Sequence, residues 1–441
     1  MVESTQSGYP AAASADNRPQ AMSIVQRGNL KNLEQTLRKQ WRLGQSIVLC
    51  WSADERGLLV IFVPHYFLGN YCAVEESGGP ATDNEAFIRD LVSGVRRKSR
   101  DELFAVADRL GVAPTFIKLD TALAEDPVVE SAVEELIRRY GLSYVDARAV
   151  LLFDISDFSL YTPFEQASQL NSLSYSLNSA YNKLLAQGIE VNFARTTTGD
   201  GYYVWNRNLG AQANQWLFYF MLLVIADNSA ARSASKGNTV PVIRTAYHIG
   251  SHYELYQAEG VSPTVFSYIV GDVTIELARM IDLAQPDQIM VGEFQCDWMA
   301  GEDSTAGALS KVSSARFVSN CSRELASLKG LQLSGKSILS VKCQLTAGDS
   351  AGASPSLIRF RITDKHGLDH YAFNLQAQIA LEEGSMQLGL ERNRLPCKEA
   401  AVQSSQKSDP AENLEVQCAD NPYDDLALIL KKRKQRMITE E

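Results

Sequence analysis

The 441-residue sequence predicts a protein of the α/β (α+β) class. Between residue 147 and about residue 295, short apolar runs typical of strands alternate with longer stretches of helical periodicity, an order that packs helices on a sheet. The N-terminal 140 residues mix helical patterns with two strand patterns, whereas the segment after residue 330 is rich in strand patterns alone. The length suits two or three domains.

The composition excludes several classes of protein. A formal net charge of -10 argues against a nucleic-acid binder, because phosphate neutralisation needs clustered Lys and Arg. The seven cysteines are scattered and contain no CxxC pair, which predicts a reducing, cytoplasmic location without a zinc site. The first 22 residues lack the pattern of a signal peptide, and the longest apolar run, Trp216 to Ala226, is about half of a membrane span. We therefore expect no transmembrane segment and assign that run to a buried helix.

The first elements belong to a predicted disordered tail, residues 1–24, and a mixed α/β region, residues 25–140. The tail is rich in Ser, Ala and Pro, a composition typical of disordered segments. In the mixed region, LKNLEQTLRKQW has the periodicity of an amphipathic helix. Two strand patterns, SIVLCW and GLLVIFV, flank the turn-prone ADERG, and EAFIRDLVSGVRRKS and VVESAVEELIRRYG predict further helices.

Residues 141–330 form the second predicted domain. Its first strand, ARAVLLFDI, stops at Asp154 and is followed by the helical pattern FEQASQLNSLSYSLNSAYNKLLAQ. Next come the hairpin RTTTGDGYYVW, the apolar helix and the strand VIRTAYHIG. The segment SYIVGDVTIELARMIDLA predicts a strand and a helix, and PDQIMVG predicts a turn followed by an edge strand.

The remaining chain is predicted as a small β-rich C-terminal domain, residues 331–391, and a polar tail, residues 392–441. The strand patterns are SILSVKCQLTA, SLIRFRITD and HYAFNLQAQIAL. Near the end, KKRKQR beside LALIL is compatible with a short amphipathic helix that contacts a partner or a membrane surface, although a solvated tail is the simpler interpretation.

Two aspartates stand at chain reversals, Asp154 at the end of a buried strand and Asp200 at the hairpin tip. If the two strands are neighbours, both carboxylates emerge at one end of the sheet, where a bridging cation such as Mg²⁺ would relieve their repulsion. Simpler interpretations remain open. Asp before Gly is a common type I′ hairpin signal, and Asp154 could cap the following helix.

Three motifs resemble those of the class III nucleotidyl cyclases, the adenylate and guanylate cyclase homology domain. FDISDF resembles the family's FxDIxxF stretch from the aspartate onward, and RTTTGD resembles its KTIGD hairpin in the Gly-Asp. IVGDVTIELARM resembles the family's VWGDTVNLAARM, and the family's PxQIxV strand follows as PDQIMV. The resemblance covers residue 147 to about residue 295 and implies a cyclase domain with a ferredoxin-like sheet core.

The resemblance also implies a mechanism. Asp154, Asp200 and the Ile155 carbonyl would bind two Mg²⁺ or Mn²⁺ ions, and the ribose 3′-hydroxyl of a nucleoside triphosphate would attack its own α-phosphate and expel pyrophosphate. Arg279 matches the arginine that stabilises charge on the α-phosphate, and Phe158 belongs to the implied nucleotide-binding residues. In the family, the aspartates and the arginine come from different subunits, which implies a homodimer with shared active sites.

The implied nucleotide pocket departs from the family at several positions. The asparagine that orients the ribose is replaced by Ile275, and Thr196 stands where purine cyclases carry lysine or glutamate. Tyr268 falls at the second base-reading position, where a bulky phenol favours a one-ring base unless this side chain packs in the core. Arg195 points to the opposite strand face and reaches the base only if the strand bulges.

These departures, together with TDKHGLDHYAFN, resemble the pyrimidine cyclases of bacterial Pycsar anti-phage systems, in which a β-rich sensor-like domain often follows the cyclase. The histidines of this segment, His366 and His370, lack a carboxylate or cysteine partner at ligand spacing and are interpreted as structural, as are His248 and His252.

The resulting hypothesis is a cytoplasmic homodimer that makes a 3′,5′-cyclic pyrimidine monophosphate, from UTP in preference to CTP, for a separate cyclic-nucleotide-activated effector. A purine cyclase with an unusual pocket and an inactive cyclase fold that binds nucleotide or acts as a scaffold are the alternatives.

Overall fold

The computed structural model of the chain describes residues 22–73, 81–258, 265–299, 309–348, 357–364, 367–395 and 414–417. These residues form two compact units, one that ends at Leu142 and one that begins at Ser143. The predicted tails, residues 1–24 and 392–441, lie largely outside the described residues, as do the LALIL and KKRKQR segments.

The first unit contains a small antiparallel sheet and five helices. The strands are β1 (Ser46–Asp54), β2 (Gly57–Pro64) and β3 (Thr115–Lys118), in that order in the sheet, and the helices are α1 (Ile24–Trp41), α2 (Phe67–Cys72), α3 (Ala81–Val92), α4 (Arg100–Leu110) and α5 (Pro127–Arg139). Side chains cap three of the helices, and α4 begins with a full capping box between Ser99 and Glu102. The predicted first helix and the two strands that flank ADERG are confirmed.

The second unit is built on one large sheet. The strands of this unit are β4 (Leu142–Ile155), β5 (Phe193–Thr197), β6 (Gly201–Asn206), β7 (Ile243–Ala258), β8 (Val265–Val270), β9 (Ile289–Gly292), β10 (Gln295–Met299), β11 (Leu309–Ser313), β12 (Gln332–Leu333), β13 (Lys336–Leu345), β14 (Ile358–Thr363), β15 (Asp369–Leu381), β16 (Ser385–Leu388) and β17 (Leu414–Gln417). Strands β10 and β11 pair with each other in a separate sheet, and the others belong to the large sheet. The helices of this unit are α6 (Pro163–Ala186), α7 (Ala211–Ala234), α8 (Asp272–Leu283) and α9 (Ser314–Glu324).

The centre of this sheet has the predicted ferredoxin-like arrangement. The elements β4, α6, β5, β6, α7 and β7 follow one another in the chain, and their strands lie in the order β7-β4-β6-β5. Alternate residues of β4 face opposite layers, since Leu151 and Phe153 pack with α6 and α7, whereas Val150 and Leu152 pack with α8. The predicted α/β class is therefore confirmed, with helices on both faces of the sheet.

The strands after residue 330 belong to the same sheet. Antiparallel pairing of β15 with β9 continues the order β13-β15-β9-β7-β4, so β9 lies inside the sheet. The prediction that PDQIMVG ends in an edge strand is wrong, because β9 pairs with β7 on one side and with a strand about 80 residues later on the other. The domain limits given above remain predictions.

The apolar run from Trp216 to Ala226 lies within α7, whose residues from Leu217 to Ala226 are buried in the core. This confirms the predicted buried helix. No helix in the described part of the chain has both the length and the apolar character that crossing a membrane requires.

Candidate active site

Strand pairing brings Asp154 and Asp200 to the same end of the sheet. In the antiparallel pair β4 and β6, Asp154 lies opposite Gly201, the residue after Asp200. The Ile155 amide donates a hydrogen bond of 2.9 Å to the Asp200 carbonyl. The two strands are thus neighbours, as the grouping of the two carboxylates requires.

The hairpin turn differs from the prediction. Its central residues are Gly199 and Asp200, since the Thr198 amide donates to the Gly201 carbonyl at 3.1 Å. Gly199 has φ of +104°, a conformation that favours glycine at the first central position, as in type II′ turns. The interpretation of Asp200-Gly201 as a type I′ pair is wrong, and Asp200 is the second residue of the turn.

Gly201 is needed for a different reason, the close approach of two strands. A Cβ atom on Gly201 would lie 1.9 Å from the carbonyl oxygen of Phe153, the residue before Asp154. Only a residue without a side chain lets β6 approach β4 this closely.

We expect Gly201→Ala to lower the free energy of unfolding by about 1 to 3 kcal/mol, because the added methyl group forces the two strands apart. Urea denaturation of the full chain measures this change. Gly28→Ala is the control, since its added Cβ meets no atom within 4 Å and lies in helix α1 without a positive φ, so it should not lower the stability. Wild-type stability in Gly201→Ala would contradict the close approach.

Asp154 is buried and paired with an arginine. Its side chain is on the α8 face, with the same strand parity as Val150 and Leu152. The Arg244 guanidinium donates to Asp154 Oδ2 through Nε at 2.9 Å and through a second nitrogen. Burial raises the pKa of Asp154 to about 6, Arg244 opposes this change, and the charges of Asp200 and Asp282 add to it.

The donor set suits a hard divalent cation. Asp200 is partly exposed and accepts a hydrogen bond of 3.1 Å from the Thr198 hydroxyl. Its charge contributes to the raised pKa of Asp154, so a cation between the carboxylates would relieve a repulsion that is present in the fold. Ile155, whose carbonyl is the third predicted ligand, is the last residue of β4. Two carboxylates with waters and substrate phosphates are a typical Mg²⁺ environment.

No larger cluster of metal-binding side chains competes with this pair. Within the described ranges, no three His, Cys, Asp or Glu residues are placed so that they could hold a metal ion together.

Arg279 lies on α8 but does not join the two aspartates in the same chain. Its guanidinium is 3.5 Å from Asp282, one turn further along the helix, and its side chain is 31% exposed. Of the ion pairs between described residues, none links Arg279 to Asp154 or Asp200. Ile275, at the position of the family asparagine, is 49% exposed on the same helix.

The predicted base-reading residues lie on two strands. Thr196 is opposite Tyr203 in the pair β5 and β6, and it shares the α8 face with Ala194. Tyr268 is opposite Leu255 in the pair β7 and β8 and is partly buried.

The two other residues considered for the nucleotide pocket, Arg195 and Phe158, contact residues that do not belong to the candidate site. Arg195 donates to the Ser174 hydroxyl at 2.8 Å and lies 5.1 Å from the centre of the Tyr202 ring. Phe158, in a short 3-10 helix after β4, packs partly buried against the core on the α6 and α7 side of the sheet.

Sequence reasoning missed Arg244, the residue in closest contact with Asp154. A signal was present, because VIRTAYHIG is a buried strand in which Arg244, Ala246 and His248 share one face. A charged residue on the inner face of a buried strand needs a partner, and the opposite charge at the end of β4 is that partner.

A second buried ionic group lies on the same sheet. Arg148 donates to Glu254 at 2.9 Å and lies 3.3 Å from the Nε2 atom of His252. All three residues are buried. Burial, together with the Arg148 charge, lowers the pKa of His252 to about 3, although a hydrogen bond with the Gly250 backbone opposes this change.

His252 is therefore expected to make the chain less stable as the pH drops from about 6.5 towards 3, whereas the raised pKa of Asp154 acts in the opposite sense below about pH 6. The unfolded chain binds a proton at His252 in this range, whereas the folded chain does not, which gives a slope of up to about 1.4 kcal/mol per pH unit. Urea unfolding of the wild type and of His252→Gln across this range measures the contribution. His65→Gln, at an exposed histidine, is the control. If the stability of the wild type and of His252→Gln changed with pH in the same way, this contribution of His252 would be contradicted.

Comparisons with known proteins found similar solved structures only. No family model and no curated protein matches the chain. The catalytic core of a rhodopsin-guanylyl cyclase with converted specificity, in complex with ATPalphaS, has a TM-score of 0.29 and 13% identity, over 53% of this chain and 97% of that one. The guanylate cyclase domain of RhGC from Catenaria anguillulae has a TM-score of 0.29 and 10% identity, over 53% and 97%. The adenylyl cyclase CyaB from P. aeruginosa has a TM-score of 0.29 and 12% identity, over 53% and 95%.

Proposed function

We propose that this chain is a nucleotidyl cyclase that converts a nucleoside triphosphate into its 3′,5′-cyclic monophosphate and pyrophosphate. The observation that carries the proposal is the convergence of Asp154 and Asp200 where β4 ends and β6 begins. Three sequence motifs support the same activity, because they occur in the order that the cyclase resemblance requires. The ferredoxin-like order of β7, β4, β6 and β5 is compatible with it.

In this proposal, Asp154, Asp200 and the Ile155 carbonyl hold the divalent ions. Mg²⁺ or Mn²⁺ bound there would promote ionisation of the ribose 3′-hydroxyl and neutralise the triphosphate. Asp154 contributes a carboxylate whose orientation is set by Arg244, and Asp200 contributes one aimed by the hairpin turn. The two side chains fix the site from adjacent strands, so little reorganisation is needed when substrate arrives.

Arg279 is proposed to stabilise the charge that develops on the α-phosphate in the active site of a second subunit. This role is supported by its partial exposure and by its pairing with Asp282 rather than with the aspartates of its own chain. Mixing Asp154→Ala and Arg279→Ala chains should restore activity in heterodimers. Failure of the mixture to recover activity would argue against a shared site.

The base preference is proposed to be pyrimidine, with UTP favoured over CTP. Thr196 lacks the charge that purine cyclases carry at this position, and Tyr268 is bulky where a base would be read. A larger side chain that narrows the pocket disfavours a two-ring base, and the loss of a polar partner weakens purine binding further.

One experiment tests both the cyclase activity and the base preference. The chain is incubated with each of the four ribonucleoside triphosphates and Mn²⁺, and the products are identified by mass spectrometry. Cyclic UMP is the expected main product. Cyclic AMP or cyclic GMP would favour the purine cyclase and overturn the base assignment alone.

An inactive, nucleotide-binding cyclase fold is the second candidate, favoured by Ile275 and by the Arg244 ion pair at Asp154. Tight binding of a triphosphate without turnover would establish it and overturn the enzymatic proposal.

We further propose that the cyclic nucleotide is a second messenger in bacterial anti-phage defence and that a separate effector reads it. The support is the resemblance of TDKHGLDHYAFN to the segment found in pyrimidine cyclases of such systems. Phage challenge of bacteria that express the chain with its genomic neighbours tests this role, and equal plaque counts for wild type and Asp200→Asn would contradict it.

A further inference from the structure

Four polar contacts between described residues attach α8 to the sheet. At the first residue of the helix, the Ser251 hydroxyl donates to Asp272 Oδ2 at 3.1 Å. Near the beginning of the helix, the Tyr203 hydroxyl donates to the Thr274 carbonyl at 3.0 Å. Near its end, Arg244 donates to the Ile281 carbonyl at 3.3 Å. Between them, His248 Nε2 lies 3.0 Å from Glu276 Oε2. This central contact joins two side chains in the middle of the helix and lies one helical turn before Arg279.

The position of His248 depends on the absence of a neighbouring side chain. A Cβ atom on Gly292 of β9 would lie 2.1 Å from His248 Nδ1. The imidazole therefore occupies the space above Gly292, with only 4% of its side chain exposed. Its Nδ1 atom has no hydrogen-bond partner among the described residues, so Glu276 is the side chain that orients the ring.

Strand β15 brings a second histidine towards the same helix. Ala372 of β15 lies opposite Gly292 and packs in the core with α8. His370 precedes Ala372 by two residues and so shares its face of the sheet. Its Nε2 atom is 4.0 Å from an Asp364 carboxylate oxygen, and its side chain is 16% exposed.

Electrostatics couple both histidines to Glu276. Burial alone would raise the pKa of Glu276, but the hydrogen bond and charge of His248, and then the charge of His370, outweigh burial and lower it. The carboxylate of Glu276 is thus held in its charged form by its contact with His248 of β7, and His370 of β15 adds a through-space contribution.

We infer that His248, Glu276 and His370 form a positioning network through which strand β15 sets the place of α8 and therefore of Arg279. This inference rests on the proposed cyclase function, in which Arg279 acts on the transition state. It gives the strands after residue 330 a role in activity, because Ala372 pairs with Gly292 below His248 and packs with the helix that carries Arg279, with His370 on the same face. The three residues contact neither substrate nor metal in this scheme and act through the helix alone.

The network predicts a separation of kinetic constants in the full-length chain. Glu276→Gln and His370→Gln should each lower kcat about tenfold and leave KM within about twofold, since a displaced Arg279 weakens an interaction made only in the transition state. Glu190→Gln, which changes an exposed carboxylate outside α8, is the matched control and should leave kcat unchanged.

A double-variant cycle tests whether the effect passes through Arg279. In an Arg279→Lys background, Glu276→Gln should lower kcat by no more than about twofold, because the group that it positions has been replaced. An equal tenfold loss in both backgrounds, or unchanged kcat in Glu276→Gln, would overturn the inference.

Hydrogen exchange of the α8 amides distinguishes failure of this inference from failure of the proposed function. Faster exchange is expected in Glu276→Gln and His370→Gln, and exchange as in the wild type is expected in Glu190→Gln. If the wild type turned over no triphosphate but exchange rose as expected, the positioning of α8 would stand and the cyclase proposal would fail. Unchanged exchange in both Gln variants would overturn the network whatever the activity, and thermal unfolding verifies that each variant is folded.

Discussion

Asp200→Asn is expected to lower the rate of cyclic nucleotide formation about a thousandfold or more. In the proposed mechanism Asp200 is a metal ligand, and loss of such a carboxylate corresponds to roughly 4 kcal/mol in the activation free energy. Asparagine keeps the size of the side chain and suits the turn, so the hairpin should remain folded. Product formation from UTP, the proposed substrate, with Mn²⁺ measures the loss, and circular dichroism verifies the fold.

Asp157→Asn is the matched control for this prediction. Asp157 lies three residues after Asp154, is exposed, and has φ of 57°, a conformation that asparagine tolerates. The control should retain wild-type activity. If Asp200→Asn retained more than a tenth of the wild-type rate, the assignment of Asp200 as a metal ligand would be wrong.

Glu254→Leu is expected to lower the free energy of unfolding by about 3 to 5 kcal/mol. The side chains of Arg148 and Glu254 are 4% and 9% exposed, so removal of the carboxylate leaves a buried guanidinium without its counter-charge. The carbonyl of Arg207 and the ring of His252 remain near Arg148, but neither carries the lost negative charge. Urea unfolding measures the change.

The double variant Arg148→Met with Glu254→Leu separates the ion pair from simple packing. Replacement of both partners should recover much of the stability, because no charge remains buried. The surface pair of Lys336 and Glu383, with side chains 44% and 81% exposed, provides a control in which Glu383→Leu costs less than about 1 kcal/mol. Equal losses in the single and double variants would show that the pair is not the cause.

The sequence predicted the elements whose signals are local. The first strand of the second unit and the apolar helix α7 were accessible because periodicity determines them, whereas the ferredoxin-like order was expected from the family resemblance of the three motifs. The four-residue strand β3 was not predicted, since TFIK is too short to show alternation. The interior position of β9 depends on β15, a strand about 80 residues away, and no local pattern reveals such a pairing.

The candidate site was predictable in part for the same reason. Asp154 and Asp200 stand at chain reversals that are visible in the sequence, and their pairing followed from one assumption about neighbouring strands. The partner of Asp154 is Arg244, 90 residues away, and only the register of the sheet brings the two together. The turn was misjudged because Gly199 and Gly201 flank the aspartate on both sides, and the sequence does not say which of them has the positive φ.

The continuous sheet has a consequence for how the chain can be divided. A protein that ended near residue 330 would lose β15 and leave the backbone amides and carbonyls of β9 unpaired along one side. An apolar strand with an open edge is a template for pairing with other chains, so such a fragment should self-associate and aggregate. The strands that follow residue 330 thus cover the edge that β9 would otherwise expose to solvent.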